Sequence, residues 1–163
     1  MTSDIDETDS NNNYLTQEKF DELTKELEHL TTVRRKEIAE QLSYARSLGD
    51  LSENAEYQEA RDLQAATEER IRQIEELLSR ARIITHNKQQ NKVSLGSFVS
   101  IQKEGDKETH TYEIVGSAEA NVQDRKLSHL SPLGGALMGK KKGDSFAFET
   151  PGGVKKYKIV AVK

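Results

Sequence analysis

The chain is 163 residues long, 34% hydrophobic and 32% charged, with a formal net charge of -4. That length holds one domain or two small ones, and so little core-forming material beside so much charge points to an elongated element. The absence of cysteine excludes a disulfide framework, a thiol nucleophile and a thiolate zinc site, and the acidic balance argues against wrapping free nucleic acid, whose phosphates need a clustered positive surface.

The charge is unevenly divided, with an acidic excess in residues 1 to 88 and a basic one in 89 to 163. No apolar run nears the length of a membrane span, and Met1-Thr2-Ser3-Asp4-Ile5-Asp6 has neither the basic nor the apolar region of a signal peptide. A cytoplasmic protein with no membrane partner is expected.

Residues 1 to 13 are acidic and nearly without apolar groups, so they cannot offset the entropy of ordering and are expected to be a disordered tail. From there to residue 85 the pattern is helical. Thr16 suits an N-cap, with Glu18, Asp21 and Glu22 near the first turn, where the helix dipole favours negative charge. Phe20, Leu23, Leu27 and Leu30 follow the 3-4-3 spacing of a coiled-coil seam. The next seam positions, Arg34 and Glu37, are polar, and apolar character returns in shifted phase at Ile38, Leu42 and Ala45, so the seam changes register between Val33 and Glu37.

A second helix carries Tyr57, Ala60, Gln64, Thr67, Ile71, Ile74, Leu78 and Ala81 at 3-4 spacing. Folding the chain so that facing residue numbers sum to about 101 pairs Leu23 with Leu78, Leu27 with Ile74 and Leu30 with Ile71, and sets Arg34 and Glu37 opposite Thr67 and Gln64. The expected element over residues 14 to 85 is therefore an antiparallel coiled-coil hairpin, with Gly49 ending its first helix and residues 49 to 57 forming an acidic tip. Each arm of roughly 30 residues would be on the order of 45 Å long. A seam filled by the chain itself predicts a monomer.

Residues 86 to 92 lose periodicity and read as a linker. Residues 93 to 163 read as strands at 97 to 102 and 109 to 115, a loop at 116 to 125, and a short helix from Ser131-Pro132 through Met138. A final strand pair, 145 to 149 with 157 to 162, is expected across Thr150-Pro151-Gly152-Gly153. The fold class is α+β, a helical hairpin followed by a small antiparallel β domain with one short helix.

The chemistry concentrates at Gly49-Asp50-Leu51-Ser52-Glu53-Asn54-Ala55-Glu56-Tyr57. Asp50 and Glu53 stand three apart at the expected start of the second helix, which reads either as a capping box or as two carboxylates on one face for a divalent cation. Ser52 could cap by itself, and Glu56 and Glu59 add a surplus of negative charge. Magnesium takes hard oxygen ligands and is often held by one or two carboxylates plus a partner's phosphate, so the pair would form half a site that a partner completes. Arg34, Arg35, Lys36, Arg46, Arg61, Arg70, Arg72, Arg80 and Arg82 read as solvated intrahelical ion pairs, with contact to RNA phosphate as the other use. Tyr57 fits either the seam or a tip contact. His29, His86, His110 and His129 have no ligand spacing, and no phosphate-binding glycine loop is present.

These residues resemble the Gre-type bacterial transcription elongation factors over about residues 14 to 163. The matching stretches are Tyr14-Leu15-Thr16, Val33-Arg34-Arg35-Lys36-Glu37-Ile38, the tip, Ala60-Arg61, Tyr112-Glu113-Ile114-Val115-Gly116, Ser131-Pro132 with Gly139-Lys140, and Thr150-Pro151-Gly152-Gly153. Leu51 is similar to the GreA branch, where GreB usually has arginine. The resemblance implies an FKBP-like C-terminal domain docking on RNA polymerase and a coiled coil entering its secondary channel. Asp50 and Glu53 would there help hold a Mg2+ shared with the polymerase, so that the polymerase cleaves the 3' end of backtracked nascent RNA. Ser52, Asn54, Glu56 and Tyr57 would be supporting tip residues, with no independent nuclease site and no cofactor of the chain's own. A channel-occupying inhibitor and an FKBP-like isomerase or chaperone are the alternatives. Lys36 stands where many relatives have proline, and Gly135 where many have arginine.

Overall fold

The computed structural model describes residues 13–50, 54–85 and 91–163. They fall into two compact units, Phe20–Arg80 and a unit joining residues 13–19 to Ala81–Lys163. Of the expected tail only Asn13 is described, and Leu51, Ser52, Glu53 and residues 86–90 of the linker likewise lie outside the described residues.

The helical segment runs α1 (Gln17–His29), a π-helical turn (Leu30–Arg34), α2 (Arg35–Ser47) and α3 (Ala55–Ser79). The π turn is the physical form of the expected register change. Arg35 N–H bonds to Leu30 O, five residues back, so the helix takes in one extra residue. A 3-4 spacing continued from Leu30 would reach positions 34, 37, 41 and 44; one residue more gives 35, 38, 42 and 45, and Ile38, Leu42 and Ala45 are buried. Hydroxyls fill the widened turn: Thr31 Oγ1 donates to Leu27 O (2.8 Å) and Thr32 Oγ1 to Glu28 O (2.7 Å).

Leu23, Ala60, Thr67, Ile71 and Ile74 are buried as the seam requires, each large apolar side chain contributing about 1.5–3 kcal/mol by leaving water. Two expectations differ. Ala81 leaves the seam because α3 stops at Ser79 and residue 81 joins a strand, and Glu37 is exposed, its carboxylate taken by Arg34 at 2.9 Å. The arginine pairs also reach further than expected. Arg35 grips Glu68 at 2.8 and 2.7 Å, and Arg70 grips Glu26 at 2.6 and 2.7 Å, each a two-pronged bond between helices.

In the other unit, β3 (Phe98–Lys103), β4 (Thr109–Val115), β5 (Lys126–Ser128), β6 (Ser145–Thr150) and β7 (Gly153–Val162) form one sheet in the order β5-β4-β3-β7-β6. Val99, Ile101, Ile114, Phe146 and Ile159 pack with Val93 and with Leu137 of α4 (Pro132–Leu137) to make the core. Ser131 caps α4 as expected, accepting Gly134 N–H at 3.0 Å. The sheet is not wholly antiparallel, since β5 runs parallel to β4 after the chain doubles back through residues 116–125. The β6–β7 hairpin is also tighter than expected: Thr150 faces Gly153, leaving Pro151-Gly152 as the turn, and the far half of β7 pairs with β3.

Within α4 two adjacent glycines differ. A Cβ on Gly134 would overlap the Ser128 carbonyl, whereas one on exposed Gly135 would meet nothing nearer than His129 O at 3.8 Å. Gly135→Ala is therefore expected to raise stability by about 0.5–1 kcal/mol in urea unfolding, and Gly134→Ala to lower it.

Two short strands, β1 (Asn13–Leu15) and β2 (Ala81–Ile83), pair in parallel, with Ile84 N–H continuing to Leu15 O at 2.8 Å. Leu15 is fully buried, and Tyr14 meets His129 edge-on with ring centroids 5.8 Å apart. Thr16 then caps α1, its Oγ1 accepting Lys19 N–H at 3.2 Å. A local capping box would need Glu or Gln where Lys19 stands, and Glu119 supplies that carboxylate from 103 residues away. It accepts Thr16 N–H at 3.0 Å, Thr16 Oγ1–H at 2.8 Å and Lys126 Nζ at 2.8 Å.

Glu119 sits at the end of a 3-10 turn (Ser117–Glu119) with its side chain 2% exposed. Burial pushes its carboxyl up, and the bonds from Lys126 and Thr16 outweigh that and leave it lowered. Glu113, 4.0 Å from the same lysine, is raised by burial against the pull of Lys126, with the charges of Glu119 and Glu18 adding to the rise.

Candidate functional site at the turn between the long helices

The first helix ends where the glycine was expected to end it. Leu48 N–H bonds to Ala45 O (3.3 Å), Gly49 N–H to Arg46 O (3.4 Å), and Gly49 adopts φ +105°, a conformation that disfavours any side chain. Asp50 follows, exposed.

The position of Asp50 relative to the second helix differs from expectation. Helix α3 begins at Ala55 with Asn54 as its N-cap (φ -83°, ψ 96°), so Asp50 precedes the first helical residue by five positions. Asp50 is thus not the N-cap of α3, a place that Asn54 takes. The reason lies in what an amide can do. Asn54 Oδ1 accepts Tyr57 N–H at 3.0 Å while Nδ2 donates to Ala45 O at 2.6 Å, so one side chain serves both helices. A carboxylate in its place would have no donor.

Glu56 is exposed in the first turn of α3, where the dipole favours it. Tyr57 is half-buried against Ile38, Leu42 and Ala60, and Arg46 lies over its ring at 5.9 Å from the centroid. Tyr57 therefore belongs to the seam and ties the two ends of the turn. Glu53 and Ser52, the other expected tip residues, lie outside the described residues.

Among the described residues no group of three or more His, Asp or Glu side chains is arranged to hold a metal ion. Asp50, the described carboxylate between α2 and α3, offers the hard oxygen that magnesium prefers and fits that ion as one part of a ligand set. Two of the histidines have contacts elsewhere: His129 Nδ1 lies 3.3 Å from Val115 O, and His110 lies 3.9 Å from Glu108 on the surface.

Asn54 was legible in kind, since asparagine ranks with serine and aspartate as an N-cap, but the competing Asp50 and Ser52 masked it. Glu119 carried no local signal at all.

Comparison with known proteins places both parts of the chain. A family model described as Transcription elongation factor, N-terminal, matches residues 13–83, and one described as Transcription elongation factor, GreA/GreB, C-term, matches residues 88–163. A curated relative from Chloroflexus aurantiacus, named Transcription elongation factor GreA, is 46% identical over 151 residues, covering 92% of this chain and 96% of its own. The protein of the same name from Clostridium acetobutylicum is 49% identical over 142 residues, covering 86% and 90%. Among solved structures, GreA factor homolog 1 of Thermus thermophilus is 29% identical, the match covering 93% of this chain and 99% of that one, at a TM-score of 0.41.

Proposed function

The chain belongs to the GreA/GreB family of transcription elongation factors, and from that premise we propose that it binds RNA polymerase and stimulates the polymerase's cleavage of backtracked nascent RNA. The observation that supports this most directly is the exposed Asp50 carboxylate on the turn between two long helices, where among the described residues no group of three or more His, Asp or Glu side chains is arranged to hold a metal. Asp50 and Glu53 would be the residues to hold a magnesium ion shared with the polymerase and the RNA 3' end. Such an ion, when bound, supplies the acidity that turns a water into a nucleophile at neutral pH.

The chain's own part is to present negative oxygens at a fixed place. Gly49 ends α2 and Asn54 starts α3, so the acidic residues stand between two anchored helix ends. On this reading the protein has no nuclease activity alone and works as a monomer in the cytoplasm. Among the described residues no helix is long and apolar enough to cross a membrane.

The test is RNA cleavage by a stalled, backtracked elongation complex with the purified protein added. Asp50→Asn and Glu53→Gln are each expected to leave the urea unfolding midpoint unchanged and to reduce stimulated cleavage by about a hundredfold or more. Full stimulation by both variants would refute the proposal, as would RNA cleavage by the protein without polymerase.

A further inference from the structure

The turn that carries Asp50 is anchored at Ala45 on one side and Asn54 on the other, nine residues apart, and the Asn54 Nδ2 to Ala45 O bond joins them directly at 2.6 Å. The orientation of that amide is dictated by its neighbours. Nδ2 faces a carbonyl that can only accept, and Oδ1 faces the Tyr57 N–H that can only donate; flipping the amide would set acceptor on acceptor and donor on donor. A planar group held at both ends fixes the distance between the last turn of α2 and the first turn of α3. The ring of Tyr57 under Arg46 is a second, weaker tie across the same gap.

We propose that Asn54 is the positioning residue of the tip, closing the turn between the helix ends and thereby setting where Asp50 is presented. The proposal rests on the functional reading above. Its energetic logic is that a carboxylate contributing to another molecule's reaction centre must arrive in place, and a displacement of about 1 Å is enough to cost on the order of a hundredfold in rate. Joining the two helix ends in the free protein also means that their spacing does not have to be set by binding.

The two roles of Asn54 are separable by chemistry. Asn54→Asp keeps an oxygen for Tyr57 N–H, and aspartate caps helices as well as asparagine does. It loses the donor and sets a carboxylate oxygen against the Ala45 carbonyl. Asn54→Ala loses both bonds. Three quantities are measured: urea unfolding, amide hydrogen exchange at Leu48 and Gly49, and stimulated RNA cleavage as a function of factor concentration.

For Asn54→Asp the unfolding midpoint should stay near the parent, and exchange at Leu48 and Gly49 should quicken. The maximal cleavage rate should drop about tenfold or more while the half-saturating concentration moves less than about twofold. Asn54→Ala should add a loss of about 1 kcal/mol of stability. The proposal is overturned if Asn54→Asp keeps the parental maximal rate and exchange, or if its whole defect is a higher half-saturating concentration. Asp50→Asn is run alongside. Should that variant stimulate fully, the functional reading fails, and the exchange rates still decide whether the amide closes the turn.

Discussion

Lys126→Met is expected to remove about 3 kcal/mol of stability at pH 7, and the variant should regain part of that loss on acidification. In the parent, Glu119 is ionised at neutral pH with Lys126 and Thr16 bonded to it, and its carboxyl titrates below the ordinary value of 4.5. A depressed folded value means that its contribution is present above pH 4.5 and is lost as pH falls through that lower value. Without the lysine, burial and the neighbouring Glu113 charge are left with only the Thr16 bonds to oppose them. The Glu119 value then rises, and the sign reverses: protonation now relieves the fold as pH falls.

Glu113, already raised in the parent, contributes most below 4.5 and loses that contribution as pH climbs through its own value, so it opposes Glu119 in acid. Urea unfolding at several pH values, with Glu113→Gln as background, isolates the Glu119 part. Adding Glu119→Gln to Lys126→Met should restore stability, because a neutral amide removes the stranded charge. A loss under about 1 kcal/mol, or an acid profile like the parent's, would refute this account of the cluster.

Gly116→Ala is expected to be comparably damaging, at about 3 kcal/mol, for a different reason. Gly116 is buried in ordinary extended backbone (φ -69°, ψ 159°), so conformation does not demand a glycine; space does. A Cβ there would overlap the carbonyl of Tyr14, and backbone cannot swing aside as a side-chain tip can. Relief requires β1 to lift away, taking with it the pairing to β2 and the Thr16 bonds to Glu119, while β3 to β7 keep their own core. Hydrogen exchange should report that pattern, with protection lost at Ile84 and Thr16 and kept at Ile114 and Ile159. Uniform loss across the sheet, or none, would contradict it.

The helical hairpin was readable because its information is periodic. A one-residue slip of the apolar pattern between Leu30 and Ile38 announces an inserted residue, and the π turn is where it goes. Gly49 and Ser131-Pro132 were readable because each acts on its own backbone. What escaped was long-range or shared. Strands of three residues such as β1 and β2 are too short for alternation to register, and nothing near Glu119, in a stretch that reads as loop, names Thr16 as its partner. At the tip several residues competed for one cap, and Asn54 is in place because it alone has a donor and an acceptor on one rigid group. The register of β6 on β7 was misjudged because Lys155 and Lys156 look like loop, yet they face Phe148 and Ala147 within the hairpin.

The extra residue at Leu30–Arg34 has an angular meaning. Each residue of a helix advances the direction of its side chains by about 100°, so everything in α2 beyond the wide turn is swung by that angle from where an unbroken α1 would have sent it. Ile38, Leu42 and Ala45 are brought round to α3 by that swing, and with them the azimuth at which Ser47 hands the chain to Gly49 and Asp50. The compass bearing of the acidic end is set some sixteen positions upstream of it, by a single peptide unit and two threonine hydroxyls.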